Sequence, residues 1–294
     1  MDILSPTVFH VCNFMAGYRA IRLFLQSGRF LLALPMIAYG IVHWRYAHFI
    51  TSFVPPWVPC HLFWIYFTGT ALIAAGLAIV ARKVAWLAGV LLGAMVLAFV
   101  VLIHTRLLLS LPGDAYAHQK IFDFPLYGRI SNACKDLALS GAAFLFAGTQ
   151  VSGRNRALTL GRILFALPVI GFGILHFAST VYAPGIPPML PSVHSPLPWQ
   201  PFWDYLTGGI FLITGVWILL GRNLFFAGTM LGATILVFGL IVWGPPLAAH
   251  PGNILTSNFL KDVGVAGGAW CLAASVCCKL AEAPVLVEKT VSSG

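Results

Sequence analysis

A short polar pattern set twice into apolar surroundings constrains this chain most. Asn132, Lys135, Asp136 and Gly141, in the run Asn132-Ala133-Cys134-Lys135-Asp136-Leu137-Ala138-Leu139-Ser140-Gly141, return as Asn258, Lys261, Asp262 and Gly267. Only 9% of the 294 residues are charged, with 17 Lys+Arg against 8 Asp+Glu. A charge at the middle of a bilayer costs roughly 2.5–3.5 kcal/mol on the insertion scale, so a Lys-Asp pair there must be compensated or lie near an interface. On a helix, the Asn, Lys and Asp stand at i, i+3 and i+4, which is one face. The spacing therefore predicts one shared polar site.

Hydrophobic residues make up 59% of the chain and its mean hydropathy is +0.90, far from the roughly 25% charged content of soluble domains. Such a chain is an integral membrane protein, counted in spans of about 20 residues. The net charge of +9 does not point to nucleic acid, because the basic residues fall between apolar runs rather than in a patch. Residues 1–27 lack a clean apolar signal-peptide core and carry Arg19 and Arg22, so they read as a retained basic lead-in. Cys12, Cys60, Cys134, Cys271, Cys277 and Cys278 form no C-x-x-C and do not match between halves, which argues against thiol-redox or zinc chemistry.

Apolar runs predict spans at about 29–49, 63–81, 85–109 and 130–150. The run GRFLLALPMIAYGIVHW then returns as GRILFALPVIGFGILHF from Gly161. Arg29, Pro35, Gly40 and His43 match Arg162, Pro168, Gly173 and His176. Trp64, Tyr66, Thr68, Gly69 and Gly76 match Trp203, Tyr205, Thr207, Gly208 and Gly215 beyond a longer Pro-rich loop. The expected fold is an all-α integral membrane protein with eight transmembrane helices in two parallel-oriented four-helix repeats. Its parts are a basic N-terminal segment 1–27, a first repeat 28–150, a linker 151–160, a second repeat 161–281 and a flexible tail 282–294. Lys and Arg gather on the side of the termini (Arg29, Arg82, Lys83, Arg154, Arg156, Arg162, Arg222), whereas the other side holds Arg45, Arg106, Lys120 and Arg129. Both termini are expected in the cytoplasm.

This orientation gathers matched polar residues at one depth near the outer surface. The candidate pocket comprises His176, Asp204, Tyr205, Thr207, Asn258, Lys261 and Asp262, with first-half counterparts His43, Tyr66, Thr68, His104, Asn132, Lys135 and Asp136. Asp204 stands where the first half has Ile65, and Trp243 where it has His104, which makes the second half the more polar candidate. Simpler readings stand beside this one. Asn132 or Ser131 and Ser257 or Asn258 can cap a helix, Asp136 and Asp262 suit its positive end, the lysines can snorkel, the histidines, tyrosines and tryptophans suit an interfacial belt, and Asp204 has Lys261 or a loop donor as a potential salt-link partner. His43 and His48 do not share a helix face and no metal motif is present, so no metal is expected. A b-type haem between His43 and His104 is disfavoured because the second half has no equivalent pair. No Gly-rich phosphate loop or nucleophile with a base is visible.

The G-R-x-L-x-A-L-P opening, the G-x-x-H-[FW] end of the first helix, the Pro-rich loop, the [FW]-x-x-T-G start of the second helix and the Lys-Asp start of the fourth resemble the DoxX-like family of bacterial four-helix membrane proteins. The resemblance covers about 28–150 and 161–280, so the chain looks like a tandem DoxX-like protein. It implies a bacterial inner-membrane location, other membrane-complex subunits as partners and contact with quinone in a redox complex; it carries over no catalytic residues. Three readings follow: a subunit binding quinone or another small amphiphile near the outer leaflet, a non-enzymatic assembly subunit, and a small-solute transporter. Absence of matched polar residues in the inner half disfavours the transporter. A quinone site should show a cavity bordered by aromatics at the outer-leaflet level, whereas a scaffold should show the Lys-Asp pairs buried and fully paired.

Overall fold

The computed structural model describes residues 21, 23–109, 126–151, 156–178, 197–249 and 254–282. Most of the lead-in and tail, part of the linker and most of the longer Pro-rich loop lie outside the described residues. Within them the chain has no strand and is helical apart from short turns: α1 (Gly28–Arg45), α2 (Ala47–Ile50), α3 (His61–Ala81), α4 (Ala85–Phe99), α5 (Thr105–Leu109), α6 (Leu126–Thr149), α7 (Arg156–Ala178), α8 (Gln200–Leu220), α9 (Leu224–Ala249) and α10 (Ile254–Glu282). A π-helical turn, Val100–His104, joins α4 to α5 without breaking the rod. The first span ends at Arg45 rather than near 49, since α2 begins separately at Ala47, and its apolar helix reaches back to Leu23.

Among the described residues seven helices are long and apolar enough to cross a membrane, and the chain is a multi-pass membrane protein. The 24-residue α6 is less apolar than these because it carries the Lys135-Asp136 pair, yet it is buried at every position from Ala138 to Gly148. The apolar window of α10 is likewise 72% buried, against 28–39% for the other six. These two helices form the interior of the bundle and touch each other, so their polar residues meet protein rather than lipid. Around them α1 packs on α3, α3 on α4, α7 on α8 and α8 on α9. Then α4 and α7 flank α6, while α9 and α1 flank α10.

In lipid the helices gain nothing from apolar burial alone, so close approach through small residues supplies the packing. A Cβ on Gly141 of α6 would lie 2.7 Å from the carbonyl carbon of Leu164, and one on Gly267 of α10 would lie 2.7 Å from that of Leu31. Pro168 and Pro35 stand four residues after Leu164 and Leu31 and lack an N–H. Each proline thus leaves without its i+4 donor the carbonyl of the very peptide that a central-helix glycine packs against. Further matched residues make matched contacts. Gly40 and Gly69 approach each other as Gly173 and Gly208 do, and Gly93 lies on Phe144 as Gly232 lies on Trp270.

Left-handed backbone residues recur in the same way. Cys60 and Trp199 (both φ 55°) precede α3 and α8; Arg82 (φ 56°) and Gly221 (φ 71°) follow them; Val84 (φ 47°) and Asn223 (φ 46°) precede α4 and α9. Gly221 and Asn223 adopt this region readily, whereas a β-branched valine is strained there. Replacing Val84→Asn should raise stability by about 1 kcal/mol, read as a higher melting temperature in detergent. Gly141→Leu should lose about 1–3 kcal/mol or more through overpacking. Gly171→Ala should melt as the parent does, since nothing lies within 4 Å of its Cβ position.

Candidate functional site

Lys135 and Asp136 are neighbours in sequence, and neighbours on a helix point in different directions. Neither can neutralise the other, so each must find its opposite on another helix. The two interior helices supply it reciprocally. Lys135 Nζ of α6 lies 2.9 Å from Asp262 Oδ1 of α10, and Lys261 Nζ of α10 lies 2.6 Å from Asp136 Oδ1 of α6. Two lysines and two aspartates thereby form a layer with no formal net charge. A burial cost that either charge alone would impose is offset by its partner.

Each carboxylate uses its second oxygen on a ring N–H. His104 Nε2 donates to Asp136 Oδ2 at 2.7 Å, and Trp243 Nε1 donates to Asp262 Oδ2 at 2.9 Å. His104 reaches Asp136 from the π-helical turn, while Trp243 stands in the regular helix α9. The same geometric role is filled by a ring that can titrate on one side and one that cannot on the other. Lys261 also donates to Asn132 Oδ1 at 2.8 Å, and the Lys135 ammonium stands 5.8 Å from the centre of the Trp243 ring. Asn258, the counterpart of Asn132, is buried, and its Nδ2 has no hydrogen bond among the described residues.

The two sides differ in access. The Lys135 and Asp262 side chains are 0% and 1% exposed, whereas Lys261, Asp136 and His104 show 11%, 14% and 9%. The Lys261–Asp136–His104 corner is therefore the reachable part of the layer, on first-half ring chemistry rather than second-half.

Other candidates lie beside this layer. His176 is fully buried, its Nδ1 donating to the Phe172 carbonyl at 2.7 Å and its ring 5.3 Å from that of Phe211. His43 makes the matching bond to the Tyr39 carbonyl at 2.8 Å but is half-buried. Thr207 and Thr68 both donate back along their own helices, to the carbonyls of Trp203 and Trp64. Asp204 is fully buried, and the expected salt link to Lys261 is not formed because that ammonium is taken by Asp136 and Asn132. Tyr66 and Tyr205 leave the pocket altogether. They are exposed, Tyr66 meeting Trp44 edge-to-face and Tyr205 stacking on Phe177, the outward position of an aromatic belt.

Nothing in the sequence signals the π-helical turn or the crosswise pairing of lysines and aspartates. The exchange of His104 for Trp243 was visible as a difference, but its shared role as donor to an aspartate needs the fold. No family model, curated protein or solved structure matches the chain.

Losing one member of the inner pair strands a buried charge. Lys135→Met should cost about 3–5 kcal/mol, and the Lys135→Met, Asp262→Leu double variant should recover most of that loss, measured by thermal unfolding in detergent. A double variant as unstable as the single would contradict the pairing.

Proposed function

We propose that the chain is a DoxX-like, non-enzymatic assembly subunit of a bacterial inner-membrane complex, built from two parallel four-helix units with eight spans and both termini in the cytoplasm. Its Lys-Asp layer serves as a clamp between the units. The observation that carries this reading is the crosswise pairing: Lys135 with Asp262 and Lys261 with Asp136, each lysine neutralising an aspartate of the other unit. Groups so engaged are spent on holding helices together. Matched glycine contacts and left-handed residues support the two-unit division, and the distribution of Lys and Arg supports the orientation.

Co-expressing the units as separate chains, cut in the linker 151–160, tests the clamp. A tag on one unit should retrieve the other. Lys135→Asp should reduce recovery at least fivefold, and adding Asp262→Lys should restore it. Association indifferent to both changes would refute the clamp.

A second reading rests on the partly exposed His104, Asp136 and Lys261. A quinone or similar amphiphile would find there both donors and a titratable ring, the requirements for hydrogen-bonding a quinone oxygen and moving a proton. His104→Trp keeps the donor that the second half uses and removes titration. Protein extracted with native lipids should carry quinone absorbance that this variant loses; ordinary lipid alone in the parent protein would leave the clamp as the layer's role.

A further inference from the structure

We propose that Asp204 is the anionic centre of a binding site for a small aromatic or aliphatic ammonium group, set between α7, α8 and α9. Asp204 is 0% exposed, and no cation reaches its carboxylate among the described residues. The Gln200 amide, one turn earlier on α8, hydrogen-bonds the carboxyl group but supplies no counter-charge. The nearby layer has no cation to spare, since Lys261 is held by Asp136 and Lys135 by Asp262. A carboxylate shut away from water without a positive partner is costly.

The fold itself does not require an acid here. Ile65 occupies the corresponding place in α3 and is equally buried, so the position accepts an apolar side chain in the same packing. The acid is thus an addition specific to the second half. Its surroundings suit an organic cation better than a metal ion. Thr207 and Phe211 continue the same buried face of α8, His176 lies on Phe211, and Trp203 meets Phe238 of α9 with ring centres 5.9 Å apart. One carboxylate with a hydroxyl on the same helix face and aromatic side chains on the neighbouring turns and helices offers an ammonium a charge partner and rings for cation–π contact. It offers too few oxygens for a hard metal cation.

Calorimetric titration of the full-length protein in non-ionic detergent with phenethylamine tests the proposal, with phenethyl alcohol as the neutral control. Saturable amine binding should weaken at least tenfold in Asp204→Asn and in Asp204→Ile. It should persist in Tyr66→Phe, and the alcohol should bind at least tenfold more weakly than the amine. Asp204→Ile should melt no lower than the parent. Absence of saturable amine binding, equal affinity for the alcohol, displacement by equimolar sodium, unchanged affinity in Asp204→Asn, or a lower melting temperature for Asp204→Ile would overturn it.

Discussion

Two adjacent residues of opposite charge on one helix cannot face each other, and inside a membrane neither can be left alone. That constraint organises this protein. It requires a second helix with the complementary pair at the same depth, and α10 provides one to α6. It also requires both helices to be enclosed, which is why the least apolar of the long helices is buried all round along its inner length. The outer helices can then meet lipid with apolar surfaces.

Close approach of the surrounding helices follows from a second, local rule. A proline in α1 and in α7 leaves one backbone carbonyl without its i+4 donor, and a glycine on the facing interior helix lets the backbones come close at that peptide. Side chains of ordinary size at Gly141 or Gly267 would separate these helices and move the lysines away from the aspartates that neutralise them. Helix packing and charge pairing are therefore coupled.

Much of this was legible in residues alone. The i, i+3, i+4 spacing places Asn132, Lys135 and Asp136 on one face, and the repeated openings at Gly28 and Gly161 announce similar local structure. Spacing on one helix, however, does not say which helix stands opposite, so it could not tell that Lys261, one possible partner of Asp204, is engaged by Asp136 and Asn132 instead. Helical position likewise could not tell that Tyr66 and Tyr205 face outward, since a polar handle on an aromatic ring suits an interface as well as a pocket. The π-helical turn at His104 leaves no compositional trace because its residues, Val-Val-Leu-Ile-His, suit an ordinary helix equally well.

The halves also show how one scaffold carries different chemistry. Trp243 and His104 fill one donor role with different capacity to titrate, and Asp204 replaces Ile65 in an unchanged packing position. A double-mutant cycle on Asp136→Ala and Lys261→Ala, with unfolding free energies measured in detergent, puts the crosswise clamp at risk. The account predicts a favourable coupling of about 0.5–3 kcal/mol between these residues of different halves; additive losses, with coupling near zero, would contradict it.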